Sequence, residues 1–331
     1  METDDVVRIA DGYRWFAEVE APPVSPRYAA LATAVADDPA LLHFLAGLPR
    51  GKRQPNLLFA ALQFLHGRAP DVDELPVWVL DDAERLAAVM LARATQTNEP
   101  ARCGALLPVL AAFPGPLALI EVGASAGLCL YPDRYGYDYD GRPVGASSPV
   151  HVHVTTSGGG PVPDRLPEVA ARIGIDLNPL DPTDADDRAW LRALVWPGPA
   201  AADRLARLDA AADVARRDPA RMLTGHLLDR LPDALDLVPE GSTAVVFHTA
   251  VLPYLPSAER ARFAALVRNL PVRWIAQEAP ASLPEVAAQL SDPDQARDRF
   301  LLSLDGRPLA WTAPHGGRID WLPGAREIMA R

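Results

Sequence analysis

From Val6 to about Leu110 apolar residues return every three or four positions, the period of helices with one face turned inward. Proline-containing breaks, EAPPVSPRY and LPRGKRQPN, divide the run. SPRYAALATAVA offers Ser25 as an N-cap with Pro26 at the first helical position. PNLLFAALQFLHG starts after Pro55 and stops at Gly67, and DDAERLAAVMLARATQTNE gathers acids at its start, where they complement the helix dipole. No strand is predicted in this region.

After the break AAFPGP the rhythm changes. LALIEV, residues 117–122, is a short apolar run of the kind buried in a parallel sheet. A glycine-rich loop and a helix to about Asp133 follow, and YGYDYDG then reads as the second strand. GSTAVVFH ends in His248, PSAERARFAALVRNL is a helix opened by Pro256 and Ser257, and PVRWIAQE is a strand ending in Glu278. Such alternation predicts β-α-β units and a mostly parallel sheet. RFLLSLDG and RPLAWTA close the chain as a hairpin turned at Asp305-Gly306. The segment 141–200, rich in Pro, Gly and Asp, is longer than an ordinary loop and is taken as an insertion. The fold class expected is α/β: a helical N-terminal domain, 1–108, followed by a Rossmann-like domain, 109–331, with a C-terminal antiparallel hairpin.

Composition narrows the partners. The 331 residues are 49% hydrophobic and 23% charged, an ordinary globular balance. A formal charge of −11 argues against general affinity for nucleic acid, which requires surplus Lys and Arg to neutralise phosphates. No apolar run reaches the roughly 18 residues of a membrane span, and METDDVVRIADGYRW lacks the features of a signal peptide, so the expected compartment is the cytoplasm. Two cysteines, Cys103 and Cys129, are too few for a disulfide framework. The expected partner is a small-molecule substrate, with no nucleic acid and no membrane; the oligomeric state is unknown.

LALIEVGASAGLCL carries two possible chemistries. Gly123, Ser125 and Gly127 fit G-x-S-x-G, the turn that presents a nucleophilic serine in α/β-hydrolases. That reading also needs upstream strands and an oxyanion-hole loop, where the chain instead reads as helical; His248 and His315 could only nominally complete a triad. From Glu121 onward the same residues form E-x-G-x-S-x-G, a loop that could hold a nucleotide, with Gly123 for the turn, Ser125 for its small size and Gly127 for close packing. GASAGL does not match the dinucleotide pattern G-x-G-x-x-G. Asp138 and Asp140, at the end of YGYDYD, are placed to bind ribose hydroxyls. His248 and Glu278 end strands at the edge where open α/β sheets bind ligands, so they are the expected catalytic pair, His248 as general base. Gln96, Asn98 and Glu99 in TQTNEPARC, together with Tyr254, are candidates for the substrate pocket. No metal site is predicted; the Asp-rich insertion lacks the calcium-loop pattern.

The loop from Glu121 to Gly127 resembles the S-adenosylmethionine loop of class I methyltransferases, which also end in an antiparallel hairpin. His226 stands where those enzymes usually place an acid against the adenine amino group, and Asp229, three residues on, is the acid that could substitute. Over nearly its whole length the chain resembles the bacterial family known as domain of unknown function 2332, through strings such as RQPNLLFAAL, TQTNEPARC, LIEVGASAGLCL, DRYGYDYDG, VVFHTAVLPYLP and DGRPLAWTAPHG. Cys129 departs from that family's usual asparagine. The methyltransferase resemblance implies S-adenosylmethionine as cofactor and methyl transfer to a small-molecule acceptor, while the family resemblance carries no settled reaction. The alternatives are a serine hydrolase acting through Ser125 and a non-catalytic nucleotide-binding or regulatory module.

Overall fold

The computed structural model describes residues 2–292 and 298–330. The chain forms two compact units: residues up to Thr97 with Thr183–Ala206, and Asn98–Pro182 with Arg207–Arg331. The expected boundary at 108 therefore moves to 97, and part of the expected insertion belongs to the helical unit.

In the helical unit the signals at the helix ends act as the sequence implies. Ser25 Oγ accepts the Tyr28 amide at 3.1 Å ahead of the helix Pro26–Asp37. Gly67, at φ +75°, ends the helix Pro55–His66 in the left-handed region that glycine adopts without strain. Tyr13 and Tyr28 pack on Phe59 with ring centroids 6.3 and 4.8 Å away. From the later segment, the helix Ala185–Ala193 packs on the helix Pro55–His66. Its buried Trp190 meets Phe64 edge-on and donates its indole N–H to the Ala94 carbonyl at 3.0 Å. That aromatic anchor explains why 183–206 joins this unit.

The second unit carries one sheet: β1 Leu117–Val122, β2 Gly136–Tyr139, β3 Arg142–Val144, β4 His151–Ser157, β5 Val169–Asp176, β6 Arg221–Thr224, β7 Thr243–Thr249, β8 Arg273–Glu278, β9 Phe300–Leu304, β10 Arg307–Thr312 and β11 Arg318–Trp321. Their order is β3-β2-β4-β11-β10-β9-β8-β7-β1-β5-β6. β1 lies between β5 and β7, parallel to both, and all six of its residues are buried, hence an apolar run interrupted only by Glu121. One face packs Ile120, Val122, Val246 and Trp274 against Leu231 and Phe263 of two covering helices. β9 and β10 form the expected hairpin, with Asp305 at φ 50° and Gly306 at φ 76° in its turn.

Three expectations fail here. β2, the strand of YGYDYD, pairs with β3 and β4 rather than with β1; the neighbour of β1 is β5, which lies within the supposed insertion. That segment is thus no insertion, since β3, β4 and β5 are all strands of the sheet. And no α-helix follows the glycine loop, only a three-residue 3-10 turn, Leu128–Leu130. Pro132, lacking an N–H, is unsuited to continue a helix there. Among the described residues no single helix is long and apolar enough to cross a membrane.

Candidate functional site

The carboxyl ends of β1, β7 and β8 gather the chemistry, and strand parity sorts it onto two faces. Glu121 stands level with Phe247, and Phe247 with Ile275. Side chains alternate along a strand, so Glu121, Thr249 and Gln277 point to one face while Val122, His248 and Glu278 point to the other.

His248 and Glu278 are hydrogen-bonded to each other and both are fully buried, with Glu278 Oε2 the one oxygen of the pair that has no partner among the described residues. His248 Nδ1 donates to Glu278 Oε1 at 2.7 Å, and its Nε2 accepts the indole N–H of Trp274 at 3.0 Å. Indole N–H is only a donor, so this arrangement holds the ring with its proton on Nδ1 and Nε2 bare. Glu278 Oε1 also accepts the amides of Val251 and Leu252, at 2.9 and 3.2 Å, and so fixes the turn after β7. With both ring nitrogens occupied, His248 is not placed to take a proton from an acceptor or from Ser125. The general-base role is withdrawn: the pair anchors a turn.

On the opposite face, Glu121 is 1% exposed and its Oε2 has no hydrogen-bond partner among the described residues. Burial, reinforced by the neighbouring Cys129 thiol and opposed by the Arg102 guanidinium, pushes its carboxyl well above the usual carboxylate range. Gln277 presents a second bare acceptor, Oε1, while its amide donates to Thr312 Oγ1 at 2.9 Å. Arg102, itself buried, donates Nη1 to both the carbonyl and the hydroxyl of Thr249, each at 3.2 Å, and Nε to the Pro314 carbonyl.

The loop after β1 is built tightly. Gly123 (φ 68°), Ser125 (φ 53°) and Gly127 (φ 69°) all have positive φ. Gly123 and Ala124 donate to the Ile175 carbonyl at 2.8 and 3.1 Å, and Gly127 donates to Ala124 at 2.7 Å. The Ser125 amide donates to Asp176 Oδ2 at 2.8 Å, and the Leu128 amide to Asn98 Oδ1 at 2.8 Å. A Cβ at Gly123 would stand 2.4 Å from a Val251 methyl, so that face of the loop is covered by the chain itself. A pyrophosphate would find these amides already occupied, so the loop is not a phosphate cradle.

The remaining candidates separate. Asn98 and Glu99 are buried beside the loop: Asn98 caps its end, and Glu99 Oε1 accepts from the Ala101 amide and from Arg207 Nε at 2.8 Å. Gln96 falls in the helical unit. Asp138 and Asp140 are corrected: Asp138 accepts the Gly141 amide at 2.8 Å within its own hairpin, Asp140 holds Thr156, and six strands lie between β2 and β1 in the sheet order. The acid that ends the strand beside β1 is Asp176, and its signal was the acid closing the apolar run RIGID. Arg102 was also missed, although an arginine inside an apolar stretch, PARCGALL, marks a buried cation. Asp229 is exposed in the first turn of the helix Leu227–Leu235, and Tyr254 is 66% exposed just beyond β7. His226 caps that helix and contacts Glu259 at 3.0 Å. A hollow of about 550 Å³ opens at the other end of the strands, beside Thr243 and Arg273. Among the described residues no group of three or more His, Cys, Asp or Glu could hold a metal ion.

A parallel strand, a tight glycine turn and an acid closing the adjoining strand thus stand together at the carboxyl edge of the sheet in a mixed α/β unit. The chain belongs to the family described as uncharacterized protein conserved in bacteria (DUF2332), whose model matches residues 10–321. No curated protein and no solved structure matches it.

Proposed function

We propose that the α/β unit binds S-adenosylmethionine at the carboxyl edge of β1 and β5, and that the protein methylates a small molecule. The observation that carries this reading is Glu121, a buried carboxyl with a bare oxygen at the entry to a glycine turn. An ammonium group supplies the donor that oxygen lacks, and Asp176 adjoins the same turn with a carboxylate suited to ribose hydroxyls. Occupied loop amides disfavour a dinucleotide, whereas S-adenosylmethionine carries no phosphate and needs none of them. The covering of Gly123 by Val251 leaves the Ser125 side of the turn and Glu121 as the contacts that fit.

When bound, the cofactor supplies an electrophilic methyl on a sulfonium. The chain's part is to hold and orient: Glu121 for the amino group, Asp176 for the ribose, Arg102 for a carboxylate. With His248 turned into the fold, no protein base is assigned, so the acceptor brings its own lone pair and alignment supplies the rate. Calorimetric titration with S-adenosylmethionine and S-adenosylhomocysteine tests this. Both should bind, and Glu121→Gln should weaken both by about tenfold or more, the scale of a charge-assisted hydrogen bond. No binding of either compound removes the reading.

A further inference from the structure

The solvent face of β4 carries two imidazoles in succession. His151 and His153 are exposed while Val152 and Val154 are buried, so both rings project from one side of the sheet. Their centroids are 4.6 Å apart, with the ring planes at 66°. Neither ring hydrogen-bonds to any described residue, whereas His226 and His248 are each held by a glutamate.

The neighbouring strand makes room for the rings and sets the charge beside them. Gly136 of β2 stands level with His151, and a Cβ there would come within 3.1 Å of His151 Nδ1 and 3.2 Å of the Ala146 carbonyl oxygen. Its φ is not positive, so the position uses glycine for its small size, at some cost to the strand. Asp138 stands level with His153 and shares its face; the Gly141 amide, donating to Asp138 Oδ1 at 2.8 Å, holds that negative charge beside the rings. Arg318, level with Thr155 further along the face, is spent on Asp320 at 2.8 Å. This face therefore favours a cation.

We propose that His151 and His153 together chelate one divalent transition-metal ion, Cu(II) most tightly. At a metal-nitrogen distance of about 2.0–2.1 Å an ion lies roughly 3.2 Å from each ring centre, so two imidazoles bound at right angles have centroids roughly 4.5 Å apart. The spacing of 4.6 Å matches that arrangement, and rotation about the outer torsion of each exposed side chain aims the nitrogens without moving the strand. Among the described residues no third His, Cys, Asp or Glu joins the pair, Asp138 being held by its own hairpin, so water completes the coordination. Imidazole nitrogens with oxygens in a tetragonal set suit Cu(II), which also stands highest in the divalent series. Five strands separate β4 from β1 in the sheet order, and the site does not rest on the methyl-transfer reading.

Calorimetry on the full chain with Cu(II) and with Mg(II), in a weakly coordinating buffer, tests it. Cu(II) should fill one site, and Mg(II), which takes oxygen ligands, should give no heat. Paramagnetic resonance of the bound copper should show coupling to two imidazole nitrogens. His151→Ala and His153→Ala should each weaken Cu(II) by about tenfold to a hundredfold, the loss of the second arm of a chelate, with the thermal midpoint unchanged because both side chains are exposed. His153→Ala combined with Thr155→His keeps the histidine count at seven but sets the rings four positions apart on the same face, about 13 Å along a strand and too far for one ion. That double variant should bind as weakly as His153→Ala. Absence of Cu(II) binding overturns the proposal. So does wild-type affinity in either single variant or in the double variant, coupling to one nitrogen only, or equal heat from Mg(II), since a lone imidazole or the acidic surface would then account for the binding.

Discussion

Replacing His248 with alanine should unfold the α/β unit far more readily, because the ring is a structural joint. The imidazole is fully buried, touching Phe263 edge-on at 5.5 Å and Trp274 at 6.1 Å between centroids. Truncating a buried ring leaves a cavity costing about 2–4 kcal/mol. The Trp274 indole N–H then loses its acceptor inside the core, which adds about 1–3 kcal/mol. Glu278 suffers less, since the Val251 and Leu252 amides still serve its Oε1. The expected loss is about 3–7 kcal/mol, a large share of the roughly 5–15 kcal/mol that holds a domain together. Trp274→Phe keeps most of the packing and breaks only the bond to Nε2, so its expected cost is about 1–2 kcal/mol. Urea unfolding measures both, with hydrogen exchange of the β7 peptide assigning the transition to the correct unit. If His248→Ala stays within about 1 kcal/mol of wild type, the ring is not the joint described, and a catalytic role for it reopens.

Gly123→Ala places a methyl against Val251 and a side chain at positive φ, for an expected loss of about 3 kcal/mol; Val251→Ala on that background should recover the steric share alone in thermal unfolding. Between the ordinary carboxylate value and the raised value of Glu121, the folded protein holds a proton that the unfolded chain has released, so stability falls as pH rises through that window. Glu121→Gln should therefore exceed wild type in melting temperature at pH 8, with the gap closing toward pH 4. Asp133 receives Arg172 Nη1 and Nη2 at 2.7 Å each, and both side chains are largely buried. Asp133→Ala leaves that cation only the Leu130 carbonyl and the more distant, exposed Asp218 carboxylate at 3.4 Å, and should cost about 3 kcal/mol in urea unfolding.

What the sequence discloses here is what neighbouring residues decide. Ser25 with Pro26, Gly67, the apolar run of β1 and Asp305-Gly306 each act within a few positions of themselves, and each is visible in the chain. β5 was hidden because Arg172 interrupts its apolar pattern, and that arginine is made tolerable by distant partners, chiefly Asp133, 39 residues earlier, with Asp218, 46 residues later. The choice of Asp176 over Asp138 and Asp140 depends on which strand pairs with β1, a non-local fact. The missing helix after the glycine loop did have a local signal in Pro132. For His248, position at the ligand-binding edge was readable, but its direction depends on strand register and on an indole 26 residues away. Glu121 was legible as part of the loop pattern, yet its bare oxygen emerges only from packing.

The acceptance of three donors by one oxygen of Glu278 has a consequence for the order of assembly. The turn after β7 depends on a carboxylate 26 to 30 residues further along the chain, so as the polypeptide emerges during synthesis that turn has no anchor until β8 has been made and paired. Val251, carried on the turn, can then settle over Gly123 only after this long-range closure, and such closures are the slow steps of a fold. The glycine loop thus matures late, and a chain stalled before β8 leaves its mouth uncovered.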